Sequence, residues 1–466
     1  MRIRLFGQYL HMSFIVLAAL ESILFFFLLL AAGVVRFGPG LSSFDRLQGP
    51  LWPRAVLFSA AMVASLLAFG LYSARQRARS AGIFIRVVAA VTSGIVLTAV
   101  CFYIIPNLWL GRGVLGLAAL WTGVIVMVLR LGFSRFVDET PFKRRVLVYG
   151  AGRNAAAVSG LRRRADQRGF VLLGFVRPQG EGLEVPEDRV LDPNNGLLDL
   201  CTWLNIDEIV VAMDDRRRAF PIAELLECRL AGFDVTELLT FLERETGRVR
   251  IDVLNPSWLI FGEGFKRGSL RLFTAGAIDI VASLLLLVVA LPFMLATAIA
   301  IKLEDGWRAP VLYRQSRAGL GGRPFNLLKF RSMHVDAESG GEARWAERND
   351  PRVTRVGAVI RKLRIDELPQ IINVLRGEMC FVGPRPERPQ FVAELSDRIP
   401  YYMQRHCVKP GITGWAQLCY PYGSSEQDAL EKLQYDLYYI KNNGFLFDLS
   451  IVAQTAEVVF MGKGAR

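Results

Sequence analysis

The stretch FTAGAIDIVASLLLLVVALPFMLATAIAI, Phe273–Ile301, is the apolar run on which our prediction of the fold rests. It is long enough to cross the hydrocarbon layer of a membrane, which takes about 20 residues of α-helix. Pro292 lies inside the run, where a proline removes a backbone hydrogen bond and favours a kink. Both flanks are basic, with Lys266, Arg267 and Arg271 before the run and Lys302, Arg308 and Arg314 after it.

These matched flanks bear on the membrane topology. Basic residues concentrate on the cytoplasmic side of spanning helices, so a spanning helix would normally have one basic flank. A helix that enters the membrane, breaks at Pro292 and returns to the same side satisfies both flanks. We therefore predict a re-entrant helix over 273–301, with an ordinary fifth span as the alternative.

Four further apolar runs open the chain, and each is close to the length needed to cross a membrane. They lie at roughly 13–35, 54–72, 84–105 and 112–132. The first run is too long for a cleaved signal peptide and lacks the small-residue cleavage pattern. We therefore predict a transmembrane bundle of four helices over residues 1–137.

Basic residues around the four runs predict the orientation of the bundle. They precede the first run, separate the second from the third and follow the fourth: Arg2, Arg4, Arg75, Arg77, Arg79, Arg86, Arg130, Arg135, Lys143, Arg144 and Arg145. The loop 36–54 is a partial exception, because it contains Arg36, Arg46 and Arg54. We predict that both ends of the bundle lie in the cytoplasm and that the protein belongs to the bacterial inner membrane.

From residue 145 the pattern changes to short buried strands that alternate with helices. Strands are predicted at 145–149, 170–176 and 208–212, and helical patterning occurs at 221–231. Such alternation is typical of a parallel sheet with crossover helices. We predict a Rossmann-like α/β domain over 138–245, a linker over 246–271 and a further domain over 272–466.

A glycine motif follows the first of these strands. Gly150 and Gly152 stand in a G-x-G-x-x-A turn, which allows a backbone to approach a phosphate at a helix N-terminus. A dinucleotide site also needs an acidic residue at the end of the second strand, which here ends in Arg177 and Pro178. Two interpretations stay open: nucleotide binding at Gly150 and Gly152, or a domain without ligand that acts as a spacer or dimer surface.

Composition narrows the class of partner. The formal net charge of +13 suits a protein beside anionic lipid headgroups or one that handles phosphorylated substrates. Nucleic acid is disfavoured, because no basic helix, zinc-ligand spacing or RNA-binding aromatic motif accompanies the charge. The six cysteines form no CxxC pair, and the three histidines are far apart in sequence. This pattern indicates reduced thiols and argues against a histidine-rich metal site.

The segment after residue 302 contains residues suited to phosphate chemistry. Adjacent Asp366 and Glu367 can hold a Mg²⁺ ion that also binds substrate phosphates. A carboxylate can also act as a nucleophile toward phosphorus and divide a transfer into two in-line steps. Arg361 and Arg385 can clamp diphosphate oxygens in bidentate fashion, and Lys329 offers a point charge.

Four motifs in this segment identify a family resemblance. They are KFRSM at 329–333, DELPQ at 366–370, NVLRGEM followed by VGPRPE within 373–387, and KPGITGWAQ at 409–417. From about residue 266 to 462 the chain resembles the bacterial sugar transferase family, the monotopic phosphoglycosyl transferases. The N-terminal bundle with an α/β domain is similar to the long, exopolysaccharide-type members, including exosortase-associated ones.

The resemblance implies an activity and a set of site residues. It implies transfer of a sugar-1-phosphate from a UDP-sugar to undecaprenyl phosphate by a ping-pong route through a covalent phosphosugar on Asp366, with Glu367 as companion carboxylate and Mg²⁺ as cofactor. It implies a mainly helical monotopic catalytic domain on the cytoplasmic face of the bilayer, a helix break at Pro292, and a homodimer. The implied phosphate-binding residues are Lys329, Arg331, Arg361 and Arg385.

The chain departs from the family pattern at two places. Residues 363–365 read Leu-Arg-Ile where many members have a small hydroxyl residue and leucine, so Arg364 alters the charge of the predicted pocket. Leu291 stands before Pro292 where serine is common. Neither departure involves the predicted catalytic groups.

Two other functions compete with this one. A membrane-anchored NAD-dependent nucleotide-sugar dehydratase needs a second glycine fingerprint and a Tyr-x-x-x-Lys pair, and the sequence contains neither. A non-catalytic scaffold of polysaccharide assembly would tolerate the loss of Asp366. The identity of the transferred sugar stays open.

Overall fold

The computed structural model describes most of the chain. The residues left outside the description are 1, 6–7, 39–48, 73–79, 137–142, 162–165, 167–168, 194–195, 216–219, 255, 262–267, 335–351, 421–422, 424 and 461–466. The basic flanks predicted at Arg75, Arg77, Arg79, Lys266 and Arg267 lie outside the described residues. The described chain divides into two compact units, Met1–Trp258 and Leu259–Arg466. That division falls within the segment 246–271 predicted as a linker, and the finer domain boundaries stay predictions.

The first unit begins with a short antiparallel hairpin, which the sequence analysis missed, followed by four helices. The elements are β1 Arg2–Leu5, β2 Gln8–His11, α1 Met12–Phe37, α2 Trp52–Ala68, α3 Ser80–Ile104 and α4 Arg112–Phe136. In the described residues, four stretches are long and apolar enough to cross a membrane: Val16–Phe37, Arg86–Ile104, Arg112–Arg130 and Phe273–Asp305. The second predicted span forms a shorter apolar helix, α2, of 17 residues.

Two buried arginines explain why charge occurs inside the bundle. Arg130 of α4 pairs with Glu21 of α1 at 3.1 Å, and Tyr72 donates a hydrogen bond to the same carboxylate. At one end of α2, the Arg54 guanidinium donates to the carbonyl oxygens of Pro50, Asn107 and Trp109. Arg54 was an exception to the charge asymmetry, and its side chain satisfies loop carbonyls rather than facing solvent, with 3% of its surface exposed.

The rest of the first unit is a parallel sheet covered by helices. Its strands are β3 Arg144–Tyr149, β4 Phe170–Val176, β5 Val190–Leu191, β6 Glu208–Val211 and β7 Asp234–Glu237, in the order β5-β4-β3-β6-β7. Its helices are α5 Arg153–Ser159, α6 Leu197–Trp203, α7 Ile222–Leu230 and α8 Leu238–Thr246, and a short helix, α9 Pro256–Phe261, contains the division between the two units. Val146 and Val148 of β3 belong to one apolar core, and Leu147 and Tyr149 belong to another. Successive side chains point to opposite faces of a strand, so both faces of the sheet are buried.

The second unit begins with the long apolar helix α10, Ser269–Asp305. The elements after it are β8 Leu312–Ala318, β9 Pro324–Phe330, α11 Arg355–Lys362, α12 Gln370–Leu375, β10 Cys380–Val382, α13 Pro389–Arg398, β11 Gly411–Thr413, α14 Trp415–Cys419, α15 Glu426–Asn442 and α16 Phe445–Phe460. Strands β8 and β9 form an antiparallel hairpin, and β10 pairs in parallel with β11. Helix α10 is a single element with Pro292 inside it, so re-entry at Pro292 is not confirmed and stays a prediction.

The Glu21–Arg130 pair gives a stability prediction. Removing one partner leaves an uncompensated buried charge, which costs about 3–5 kcal/mol in comparable pairs. We therefore expect Glu21→Ala to lower the unfolding temperature strongly in detergent. The double variant Glu21→Leu/Arg130→Met should recover most of the loss, because both charges are then absent. A double variant as unstable as the sum of the two single variants would contradict this role for the pair.

Candidate active site

Asp366 and Glu367 lie together in a single 3₁₀ turn, Ile365–Glu367, between α11 and α12. Helix α11 begins at a capped turn, where the Thr354 hydroxyl accepts a hydrogen bond from the Gly357 amide at 2.9 Å. Pro369 precedes α12, a position where a missing amide hydrogen costs little. The two helix ends leave only a short connection, and this connection presents both carboxylates.

The Asp366 side chain is buried and one of its oxygens has no hydrogen bond. Only 9% of its surface is exposed, and Oδ1 has no hydrogen-bond partner among the described residues. Burial raises the pKa of Asp366 and the Glu367 carboxylate raises it further, while Lys329, Arg364 and Arg361 lower it. A buried oxygen without a partner has lost its hydration without compensation, and a substrate group or a metal ion would supply that compensation.

The Glu367 carboxylate, by contrast, is surrounded by cations. Its Oε1 atom lies 3.1 Å from Lys329 Nζ, 3.6 Å from Arg385 Nη2 and 3.7 Å from Arg364 Nη1. Burial alone would raise the pKa of Glu367, but the three cations outweigh it and lower the pKa to about 2. Glu367 is therefore ionised at neutral pH, and it holds together three cations that would otherwise repel one another.

Lys329 is positioned by a buried asparagine that follows the two carboxylates in sequence. Asn373, on α12, accepts a hydrogen bond from the Leu328 amide at 3.0 Å and donates one to the Asn326 carbonyl at 2.8 Å. These bonds attach β9 to α12 on either side of Leu327. Lys329 is thereby held at a fixed distance from Glu367.

Arg385 lies in a rigid turn that a buried ion pair supports. The Arg405 guanidinium donates to the Arg385 carbonyl at 3.2 Å and to Asp436 Oδ2 at 2.8 Å. Arg317 donates to the carbonyl of Pro386 at 3.2 Å. No motif in the sequence pointed to Arg405, and its partner Asp436 lies 19 residues after the last of the four family motifs.

The predicted phosphate-binding residues fall into two groups. Lys329 and Arg385 contact Glu367, and the charge of Arg361, in the last turn of α11, acts on Asp366. Arg331 lies apart from them, with 6% of its side chain exposed and a bond of 2.8 Å to Asp305 at the end of α10. Its assignment to substrate phosphate stays a prediction.

Helix α10 supports this site from two directions. Met294, Ala298 and Ile301 pack in one apolar cluster with Ile365 and Leu368, the residues that flank the two carboxylates. Nearer its other end, the Asp279 carboxylate accepts a hydrogen bond from the Phe381 amide at 3.2 Å. Phe381 belongs to β10, which leads directly into the turn that contains Arg385. The apolar helix therefore contacts both sequence segments that form the site.

The donor set of the site is compatible with a divalent cation that also takes substrate oxygens. No group of three or more histidine, cysteine, aspartate or glutamate side chains suited to a metal occurs in the described part of the chain. Mg²⁺ is, however, commonly bound by one or two carboxylates together with phosphates and water. The unpartnered Asp366 Oδ1 beside Glu367 fits that pattern.

The glycine turn of the first unit is occupied by carboxylates of its own chain. Asp214 accepts hydrogen bonds from the amides of Arg153 and Asn154 at 2.9 and 2.8 Å, and Glu181 accepts one from the Ala151 amide at 2.9 Å. A Cβ atom at Gly152 would lie 2.2 Å from Asp214 Oδ2, so this glycine makes room for the carboxylate. Nucleotide binding at Gly150 and Gly152 stays a prediction, and it would require these carboxylates to move.

The exposed apolar helix α10 indicates a membrane protein. The paired carboxylates and clustered cations beside this helix form a site suited to phosphate chemistry. Residues 270–462 match the family described as Bacterial sugar transferase. A UDP-glucose:undecaprenyl-phosphate glucose-1-phosphate transferase of Klebsiella pneumoniae is 42% identical over 72% of this chain and 71% of its own length. The chain belongs to the bacterial sugar transferase family.

Two further relatives are similar to this chain over part of their length. A UDP-N-acetylgalactosamine-undecaprenyl-phosphate N-acetylgalactosaminephosphotransferase of Aeromonas hydrophila is 44% identical over 52% of this chain. An undecaprenyl-phosphate glucose phosphotransferase of Komagataeibacter xylinus is 34% identical over 69% of this chain. The matches span 56% and 60% of the lengths of these two relatives.

The buried Arg405–Asp436 pair gives a prediction that separates folding from site geometry. We expect Arg405→Met to lose about 3–5 kcal/mol of stability, because Asp436 is left buried without its partner. Arg405→Met/Asp436→Leu should recover much of that stability but little sugar-phosphate transfer, since the Arg385 carbonyl still lacks its donor. The measurements are thermal unfolding and transfer rate, with the surface variant Arg398→Met as control. Full transfer by the double variant would show that Arg405 does not position Arg385.

Proposed function

We propose that this protein transfers a sugar-1-phosphate from a UDP-sugar to undecaprenyl phosphate, the initiating step in assembly of an exopolysaccharide or related glycan. The observation that carries the proposal is that two carboxylates in one turn, Asp366 and Glu367, have very different surroundings. Asp366 has a buried oxygen with no hydrogen-bond partner in the described part of the chain, and Glu367 next to it gathers three cations. Relatives named as undecaprenyl-phosphate sugar-phosphate transferases support the same reaction.

The reaction proceeds by two in-line displacements at phosphorus. In the first, an Asp366 carboxylate oxygen attacks the phosphorus of the sugar phosphate, the bond to the bridging oxygen breaks, and UMP leaves with that oxygen. In the second, a phosphate oxygen of undecaprenyl phosphate attacks the same phosphorus and the bond to Asp366 breaks, which restores the free carboxylate. The two steps form a ping-pong cycle with a covalent phosphosugar-aspartate between them.

The cations of the site stabilise the charge that shifts among the phosphate oxygens. Lys329 and Arg385 lie beside Glu367, and the charge of Arg361 lowers the pKa of Asp366. Fixed positive groups at a partly buried site need no reorganisation when charge moves in the transition state. Asp366 and Glu367 would hold Mg²⁺, which when bound supplies further neutralisation of phosphate charge.

We propose that α10 returns to the cytoplasmic face. Asp279 and Ile301 both contact the compact second unit, through Phe381 and through the cluster of Phe330 and Ile360. Along a continuous helix these two residues are roughly 33 Å apart, which is about the thickness of the hydrocarbon layer. Because one compact unit contacts the helix at both places, these contacts support a helix that does not carry the chain across the membrane. The undecaprenyl phosphate then meets the site at the headgroup level.

The α/β part of the first unit serves, we propose, as a Rossmann-like domain without a catalytic role. Its strand order is that of the first five strands of the doubly wound dinucleotide-binding sheet. Asp214 and Glu181 engage amides that a bound pyrophosphate would use. This supports the spacer or dimer-surface interpretation over a dehydratase, and a homodimer remains part of the proposal.

The nucleophile can be tested with one pair of variants. We expect Asp366→Asn to abolish transfer and to prevent covalent labelling by a radiolabelled UDP-sugar, because an amide oxygen is a poor nucleophile toward phosphorus. Asp397→Asn, on the exposed face of α13, is the matched control and should behave as wild type. A panel of UDP-glucose, UDP-galactose and their N-acetylated forms identifies the sugar. Adduct formation by the folded Asp366→Asn variant would disprove the assignment.

The topology can be tested by cysteine labelling in a background without the six native cysteines. Gly268 and Trp307 lie just outside the two ends of α10. If α10 re-enters, Gly268→Cys and Trp307→Cys are both protected from an impermeant thiol reagent in intact cells and both react after permeabilisation. Pro292→Ala should lower activity and expose one of them in some molecules, since it restores the missing hydrogen-bond donor. External labelling of only one position while Pro292 is still present would instead show a spanning helix.

A further inference from the structure

Arg364, directly before the 3₁₀ turn of the two carboxylates, has an unusual backbone conformation. Its φ of 58° lies in the left-handed region, which it shares with only Asn205 and Tyr401 among the described non-glycine residues. For a side chain with a Cβ atom this conformation costs roughly 1–2 kcal/mol. Glycine or asparagine would adopt it more cheaply. The backbone conformation alone would favour glycine, so the arginine indicates a role for its side chain.

The side chain of Arg364 extends to the site. Its Nη1 atom lies 3.7 Å from Glu367 Oε1, and 43% of the side chain is exposed. The other two cations at that oxygen, Lys329 and Arg385, are 19% and 34% exposed. Arg364 is thus the most solvent-accessible of the three.

The charge balance of the site points to an anionic ligand. Among the described residues, two carboxylates, Asp366 and Glu367, face four cations, namely Lys329, Arg361, Arg364 and Arg385. Glu367 alone cannot neutralise the three cations that contact its Oε1. The remaining positive charge suits the oxygens of a phosphate group, and the planar guanidinium of arginine binds such oxygens in bidentate fashion.

We infer that Arg364 is a substrate-binding residue whose guanidinium contacts a phosphate group of the nucleotide sugar or of undecaprenyl phosphate during transfer. This inference rests on the proposed function, because it assigns Arg364 to the substrates of that reaction.

The experiment compares Arg364→Ser with Lys362→Ser in the full-length protein. Lys362 is an exposed lysine at the end of α11, two residues before Arg364, and its replacement removes the same charge from the neighbourhood. Two constants are measured: the inhibition constant of UDP against the UDP-sugar, and the KM for undecaprenyl phosphate. Loss of one charge-assisted hydrogen bond should weaken binding by roughly tenfold to a hundredfold. Arg364→Lys should recover part of the loss, because it restores charge without the planar fork.

The two constants separate the two phosphate sources. A higher inhibition constant for UDP assigns the contact to the donor, and a higher KM for undecaprenyl phosphate assigns it to the acceptor. A lower kcat with both constants unchanged would overturn the inference, because it would show that Arg364 only positions Glu367. Constants equal to those of Lys362→Ser would overturn it as well. If wild type transfers no sugar phosphate from any donor, the proposed function fails instead.

A glycine variant provides a second test in case Arg364→Ser does not fold. Arg364→Gly removes the side chain and relieves the left-handed strain, so its unfolding temperature should equal or exceed that of wild type. If Arg364→Ser proves unstable, Arg364→Gly provides the same two constants in a folded protein. A folded Arg364→Gly variant with wild-type constants would overturn the inference.

Discussion

The ion pair between Lys329 and Glu367 joins segments that are far apart in sequence. Lys329 comes from β9, Glu367 from the turn before α12, and Arg385 from the turn after β10, yet their charged groups meet at one carboxylate oxygen. Clustered cations repel one another, and a partly buried site screens that repulsion poorly. The Glu367 carboxylate makes the cluster possible, and its loss would leave Lys329 and Arg385 without the charge that holds them. The cations in turn keep Glu367 ionised, which leaves Asp366 as the carboxylate with a free oxygen.

The apolar helix α10 supports this site by packing and positions it next to the membrane-contacting face. Its side chains pack against Ile365 and Leu368 around the carboxylates, and Asp279 holds the strand that leads to Arg385. Other large apolar residues of the helix are exposed, such as Leu285 at 67% and Val288 at 74%. Exposed apolar surface of this extent marks a membrane-contacting face. In the proposed reaction, a helix that contacts lipid on one side and the site on the other would bring a water-soluble nucleotide sugar and a lipid-bound phosphate to the same place.

The two units differ in the groups that surround their carboxylates. At the site of the second unit, three cations surround the Glu367 carboxylate, and one of them, Arg364, is 43% exposed. In the α/β part of the first unit, Asp214 and Glu181 accept the hydrogen bonds of amides that form the glycine turn. A helix N-terminus favours any nearby anion, whether it belongs to a ligand or to the protein. The same glycine motif can therefore serve as packing, with Gly152 allowing close approach of a carboxylate rather than a pyrophosphate.

The sequence by itself determined the apolar helices, the parallel sheet and the family, because these follow from local hydrophobic periodicity and from motifs that are continuous in the chain. It also indicated the Asp366–Glu367 pair, since adjacent carboxylates are visible without a fold. It did not show that Glu367 gathers three cations while one oxygen of Asp366 has no described partner, or that Arg331 pairs with Asp305. It gave no role to Arg405 and noted Arg364 only as a departure. These contacts depend on the tertiary structure, because burial and the distance between charges depend on which distant segments pack together.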